Sequence, residues 1–184
     1  MLNLKSQGSR NVDWILIIVV LVLISVGLSA IYSVDLSKGN TLSYFPTQFI
    51  ALLVGLGVMG LAAFMHINFY RSSAKLIYVV ALGLLISVLF LGVTVRGTTG
   101  WFRVAGFSFQ PAEFAKVALV IFLAWLTSRY GRRFDKLQFV FATGLFTFIL
   151  AGFIMLQPDL GSALVLCGVW FGLLFLVGTK KRYI

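Results

Sequence analysis

The chain alternates long apolar runs with short polar stretches. Six runs approach or reach the length of a membrane span: Trp14–Ser33, Phe45–Met65, Ala74–Val95, Pro111–Thr127, Leu137–Leu156 and Leu160–Gly178. About 20 apolar residues in a helix cross the hydrocarbon core of a bilayer. Lipid admits only helices or closed barrels, because each backbone N–H and C=O must find its partner inside the protein. Unbroken apolar runs of this length are helical. The predicted fold is therefore an all-α integral membrane protein of six transmembrane helices, forming one transmembrane domain over residues 1–184. The connectors are short, and two carry turn chemistry: Ser37-Lys38-Gly39-Asn40 and Arg96-Gly97-Thr98-Thr99-Gly100. Gly55, Gly57 and Gly60 in the second run, with Gly161 and Gly168 in the sixth, read as points of close helix approach.

Composition agrees. Of the 184 residues 60% are hydrophobic and 11% charged, against about a quarter charged in a soluble domain. The net charge of +10 would suggest nucleic acid in a soluble protein. Here the bases lie between apolar runs, with no basic-aromatic interleaving, so they set orientation and meet anionic lipid head groups. Eleven bases fall on one side: Lys5, Arg10, Arg71, Lys75, Arg129, Arg132, Arg133, Lys136, Lys180, Lys181 and Arg182. Three fall on the other, Lys38, Arg96 and Arg103, while Lys116 lies within the fourth run. That asymmetry predicts cytoplasmic N- and C-termini. The first run is too long for a signal-peptide core and reads as a retained helix. Cys167 reads as a small packed hydrophobe and His66 as a helix-end or solvated histidine. No zinc or redox cluster, nucleophile motif or P-loop is present in the sequence.

The candidate chemistry lies on the side with few bases. In Gln110-Pro111-Ala112-Glu113, Pro111 suits the first helical position, where its missing N–H costs nothing. Glu113 then falls at the third position, near the positive helix end. It reads either as a capping acid or as part of a cavity. Lys116 lies one turn deeper on the same face. It either pairs with Glu113 to orient the helix or faces an anion in an intramembrane pocket; ionisable groups at that depth are costly. Gln157-Pro158-Asp159 repeats the pattern, with Pro158 expected to start the sixth helix and Asp159 to lie in its first turn. Two carboxylates beside a lysine could bind a divalent cation or hold a cationic group. Between the third and fourth runs, Trp101 and Phe102 suit the interfacial belt. Arg96 and Arg103 either anchor that loop or bind phosphate.

These residues resemble the SEDS family (shape, elongation, division and sporulation), the RodA/FtsW/SpoVE type. Gly27-Leu28-Ser29-Ala30-Ile31-Tyr32-Ser33 is similar to the end of that family's first helix. Phe45 to Arg71, with Gln48 and Gly55-Leu56, resembles its second helix and following turn. Gly100-Trp101-Phe102-Arg103 with Phe109-Gln110-Pro111-Ala112-Glu113-Phe114-Ala115-Lys116 resembles its signature third loop and fourth helix. Gln157-Pro158-Asp159-Leu160-Gly161-Ser162-Ala163 resembles its second signature. Thr99-Gly100 stands where the family often has a basic pair.

The resemblance implies a peptidoglycan glycosyltransferase that polymerises lipid II, an undecaprenyl-pyrophosphate-linked disaccharide-peptide. It would act at the outer face of the cytoplasmic membrane, in elongation or division, beside a crosslinking class B penicillin-binding protein. The family has about ten transmembrane helices, so these are expected to be the first six. Its proposed catalytic aspartate, in a later outer loop, has no counterpart here. This stretch is therefore expected to contain no catalytic residue and to be inactive alone. Its share of the site would be a substrate cavity of Glu113, Lys116, Asp159, Arg103, Arg96, Gln110, Gln157 and Trp101. A lipid-linked precursor flippase and a non-catalytic scaffold for a synthase complex are the competing readings.

Overall fold

The structure is a computed structural model that describes residues 13–37, 42, 44–95, 97–104, 107–130 and 136–177. They fall into two compact units, Met1–Phe64 and Met65–Ile184.

The first unit holds α1 (Trp14–Ser37) and α2 (Phe45–Phe64). Asp13 starts α1 by accepting the Leu16 N–H at 3.0 Å. Both helices are apolar around their whole circumference, with Leu23 67% and Leu61 70% exposed. Such helices are stable in hydrocarbon rather than water. Two hydroxyls of α1 are satisfied within the helix: Ser25 donates to the Leu21 carbonyl and Ser29 to the Ser25 carbonyl, each at 2.8 Å. Asp35, buried near the end of α1, accepts the N–H groups of Tyr44 and Phe45 at 2.9 and 2.8 Å and so caps α2.

The second unit holds α3 (Ile67–Leu91), a small sheet, α4 (Pro111–Tyr130), α5 (Lys136–Met155) and α6 (Leu160–Leu176). Small residues bring α3 against α4: Ala74 and Ala81 on one helix, Ala112, Ala115 and Ala118 on the other, have no exposed surface. Leu85, Leu119, Leu150, Ile154 and Leu166 extend this core across the four helices. An aromatic node ties three of them together. The Phe122 ring lies 4.5 Å from Tyr78 and 4.7 Å from Phe146, and the Tyr78 hydroxyl donates to the Phe146 carbonyl at 2.7 Å. Between α5 and α6 the Trp170 indole donates to Thr143 at 3.0 Å, and a Cβ on Gly144 would stand 3.0 Å from its ring.

Five helices are long and apolar enough to cross a membrane, and α6 adds a shorter apolar helix of 17 residues. Four details differ from the sequence reading. First, α3 starts at Ile67, a full seven residues before Ala74, because His66 caps it by accepting the Asn68 N–H. Arg71 and Lys75 are therefore helical, their apolar stems allowing charges on a helix end. Second, the segment after α3 is a three-stranded antiparallel sheet: β1 (Val93–Val95), β2 (Thr98–Val104) and β3 (Phe107–Phe109), in that order. Its β-branched and aromatic residues favour strands. Of the residues read as a turn, Thr98, Thr99 and Gly100 are strand, and Gly97 before them has φ +85 with no Cβ to oppose it. Third, Pro158 precedes α6 by two residues, and Asp159 is its N-cap. Fourth, Gly55, Gly57, Gly60 and Gly168 have open space where a Cβ would be, and Gly161 has only Asp159 at 3.6 Å. Close approach comes instead from the alanines and Gly144.

Leu166 has no exposed surface, whereas Leu164 on the same helix is 60% exposed. Leu166→Ala is expected to lower unfolding free energy by about 2–5 kcal/mol, and Leu164→Ala by less than about 0.5 kcal/mol. Denaturant titration in detergent measures both; equal losses would contradict the core placement.

Candidate functional site

The two Gln-Pro-acid motifs meet in space. Pro111 and Glu113 occupy the first and third positions of α4, and the Glu113 N–H bonds the Gln110 carbonyl at 3.1 Å. The Gln110 side chain crosses to the second motif, its Nε2 donating to Asp159 Oδ2 at 3.0 Å. Asp159 Oδ1 accepts the Ser162 N–H at 2.9 Å and so starts α6. One carboxylate thus links the N-termini of two helices, each presenting partial positive charge.

Lys116 Nζ lies 2.7 Å from Glu113 Oε1. The lysine side chain is 22% exposed and the glutamate 62%, so the acid is the wet partner and the base the sheltered one. The ion pair is present, and Lys116 also faces a cavity of about 620 Å³. The sheet contributes Trp101, Arg103 and Ser108 to its wall, α4 contributes Gln110 and Lys116, and α6 contributes Asp159 and Ser162. Arg103 and Ser108 are cross-strand partners. A volume of this size suits a small-molecule group. Two cations on the wall suit an anionic one, with the Asp159 carboxylate beside them, and the half-buried Trp101 offers a flat apolar wall.

Of the eight predicted site residues, Trp101, Arg103, Gln110, Lys116 and Asp159 line this cavity. Glu113 is not on the wall but pairs with Lys116, which is. Arg96 lies outside the described residues. Gln157 is fully buried away from the wall, its Nε2 donating to the Leu85 carbonyl of α3 at 3.3 Å. Its Oε1 has no hydrogen-bond partner among the described residues. A Cβ on Gly100 would lie 2.9 Å from that oxygen, so glycine lets β2 close over the amide. Gln157 therefore supports the sheet that carries Trp101 and Arg103.

The donors do not suit a divalent cation. Among the described residues no three His, Cys, Asp or Glu side chains converge. Asp159 spends both oxygens on Gln110 and Ser162, and Glu113 faces Lys116. Sequence reasoning missed Asp35, an acid two residues past the end of the first apolar run, whose role depends on its contact with the start of α2. It also missed Ser108 and Ser162, which carry no signal before strand register and helix start are known.

A family model described as Cell cycle protein, of the FtsW/RodA/SpoVE type, matches residues 11–184. The chain belongs to this family. It is a SEDS protein, a multi-pass protein of the bacterial cytoplasmic membrane. It is 32% identical over 177 residues to stage V sporulation protein E of Bacillus subtilis, covering 91% of this chain and 48% of that protein. It is 36% identical over 168 residues to the probable peptidoglycan glycosyltransferase FtsW of Tolumonas auensis, covering 86% and 42%. Among solved structures it matches the rod shape determining protein RodA of Thermus thermophilus at TM-score 0.79 and 31% identity, covering 95% of this chain and 56% of that one. It also matches a chain in a structure described as the structural coordination of polymerization and crosslinking by a peptidoglycan synthase complex, at TM-score 0.77 and 29% identity, covering 96% and 51%. The SEDS chain thus spans about half the length of the curated relatives it matches, 48% and 42% for the two named.

If the Gln110–Asp159 bond ties α4 to α6, single and double alanine variants should be non-additive in unfolding free energy. The expected coupling is about 1 kcal/mol, a part-exposed hydrogen bond to a charged acceptor. Additive losses would show that the contact carries no energy.

Proposed function

We propose that this chain forms part of a peptidoglycan polymerase, in which the cavity beside Lys116 and Arg103 receives the pyrophosphate of lipid II. The observation that carries this reading is that these two cations line one cavity together with the bonded pair Gln110 and Asp159 at the starts of α4 and α6. Glycan transfer from a lipid-linked donor releases a pyrophosphate on which negative charge develops, and fixed cations stabilise such charge. Lys116 is held by Glu113, so its ammonium is positioned before the anion arrives and less ordering is needed on binding. Trp101 would cover an apolar or sugar face of the donor.

The loop-charge asymmetry supports an outward-facing cavity and cytoplasmic termini. Lipid II at the outer leaflet and a class B penicillin-binding protein alongside fit that orientation. The names borne by FtsW relatives and the synthase-complex neighbour support the same reaction class. Bond formation itself is assigned by the family resemblance to an aspartate with no counterpart among these positions, so residues 1–184 alone are expected to make no glycan. A flippase needs its charges accessible from both faces in turn; Glu113, Lys116, Arg103 and Asp159 gather at one end of the second unit, which favours the polymerase.

The test uses a full-length polymerase carrying this sequence, purified with its penicillin-binding partner and supplied with lipid II. Lys116→Ala and Arg103→Ala should each slow glycan formation at least tenfold, about 1.4 kcal/mol of barrier, while the complex stays intact. Normal polymerisation in both variants would remove the cavity from the reaction. Loss of activity together with loss of the partner would point to a docking role.

A further inference from the structure

A second cluster of cations lies at the opposite end of α4 from Glu113, about 24 Å away along the helix axis. The Lys75 ammonium stands 5.1 Å from the centre of the Trp125 ring, and the Arg129 guanidinium lies 5.9 Å from the same ring and 5.8 Å from that of Tyr130. These two bases are engaged with aromatic faces, and Arg129 also complements the C-terminal end of α4. Arg71, one turn before Lys75, has neither role. It is exposed and forms no ion pair among the described residues. The first turn of α3 carries no acid either.

Arg71 stands at the mouth of a groove of about 300 Å³ between α3 and α4, with Tyr70 beside it and Ile121, Ala124 and Trp125 along its wall. Ser128 also borders the groove, but its hydroxyl is donated to the Trp125 carbonyl at 2.9 Å. The Arg71 guanidinium is left as the strong donor. From Ser128 to Ile121 the groove follows about 10 Å of α4, a helix apolar and long enough to cross a membrane. The order is a cationic mouth flanked by aromatic rings, then an apolar floor at membrane depth. That order matches a molecule with an anionic head and a hydrocarbon chain. A free nucleotide or acidic peptide would leave the floor unused.

We propose that this groove binds an anionic phospholipid of the leaflet at that end of α3 and α4, the cytoplasmic leaflet by the loop-charge asymmetry. Its phosphate pairs with Arg71, Lys75 and Arg129 add to the positive field, and one acyl chain lies over Ile121 and Ala124. Basic sites between transmembrane helices on that side suit anionic head groups. The site is separate from the outward cavity and would anchor the α3–α4 pair in depth and rotation.

The test is native mass spectrometry of the full chain in detergent, delipidated and titrated with dioleoylphosphatidylglycerol or dioleoylphosphatidylcholine. The wild type should prefer the glycerol lipid, and Arg71→Gln should weaken that binding about fivefold, the worth of one base near an anionic surface. Arg71→Lys should keep most of it. Ala124→Phe fills the groove with Arg71 intact and should also weaken binding, which guards against a folding defect in the arginine variant. Equal affinity of the wild type for the two lipids would overturn the proposal. So would undiminished preference in Arg71→Gln or in Ala124→Phe. Displacement of the lipid by equimolar glycerol 3-phosphate would overturn it too, by showing a site for free phosphate.

Discussion

The Asp159 carboxylate carries two duties at once, and the cavity depends on both. One oxygen begins α6 by satisfying the Ser162 N–H, and the other receives Gln110 from the start of α4. Helix starts leave backbone N–H groups without intrahelical partners. A soluble protein can give these groups to water; a helix entering lipid needs them met by the protein or at the interface. Joining two starts through one acid satisfies part of that need and brings two positive helix ends to one place. Lys116 and Arg103 then stand beside the carboxylates of Asp159 and Glu113, so both signs of charge are fixed around the cavity before any ligand arrives.

The same need shapes the rest of the fold. Asp35 spends one carboxylate oxygen on two N–H groups at the start of α2. Thr143 sits buried on α5 and meets both its own helix and the Trp170 indole. Gln157 reaches across to a carbonyl of α3. Polar side chains inside these apolar segments therefore mostly close gaps in backbone and indole hydrogen bonding. Lys116 differs, because its partner Glu113 is largely exposed and its flank opens on the cavity. That difference separates a structural polar group from one available to a ligand.

Charge is also divided by position. At the sheet end of the second unit, cations stand with Glu113 and Asp159. At the other end, Arg71, Lys75 and Arg129 stand among aromatic rings, with no carboxylate partner among the described residues. A mixed cluster can hold a specific anion in a fixed geometry, while an all-basic rim acts mainly as a field for a charged surface. The two ends of α4 thus suit different partners.

Hydropathy alone determined the six helices and their order, because an apolar run of bilayer length has only one way to satisfy its backbone in lipid. It also placed Pro111 and Glu113 correctly, since a proline's missing N–H belongs at a helix start. The motifs named the residues Gln110, Lys116 and Asp159. Tertiary structure decided what they do. That Gln110 bonds Asp159, that Gln157 is buried beneath Gly100, and that Arg103 and Lys116 line one cavity all depend on the placement of distant segments, for which local pattern carries no signal. The start of α3 at Ile67 escaped the hydropathy reading because Arg71 and Lys75 interrupt the apolar run without interrupting the helix. The sheet escaped it because three short strands gain stability only from one another. Sequence determined which segments enter the membrane, a property of each segment's own transfer from water; packing decided the site, a property of pairs.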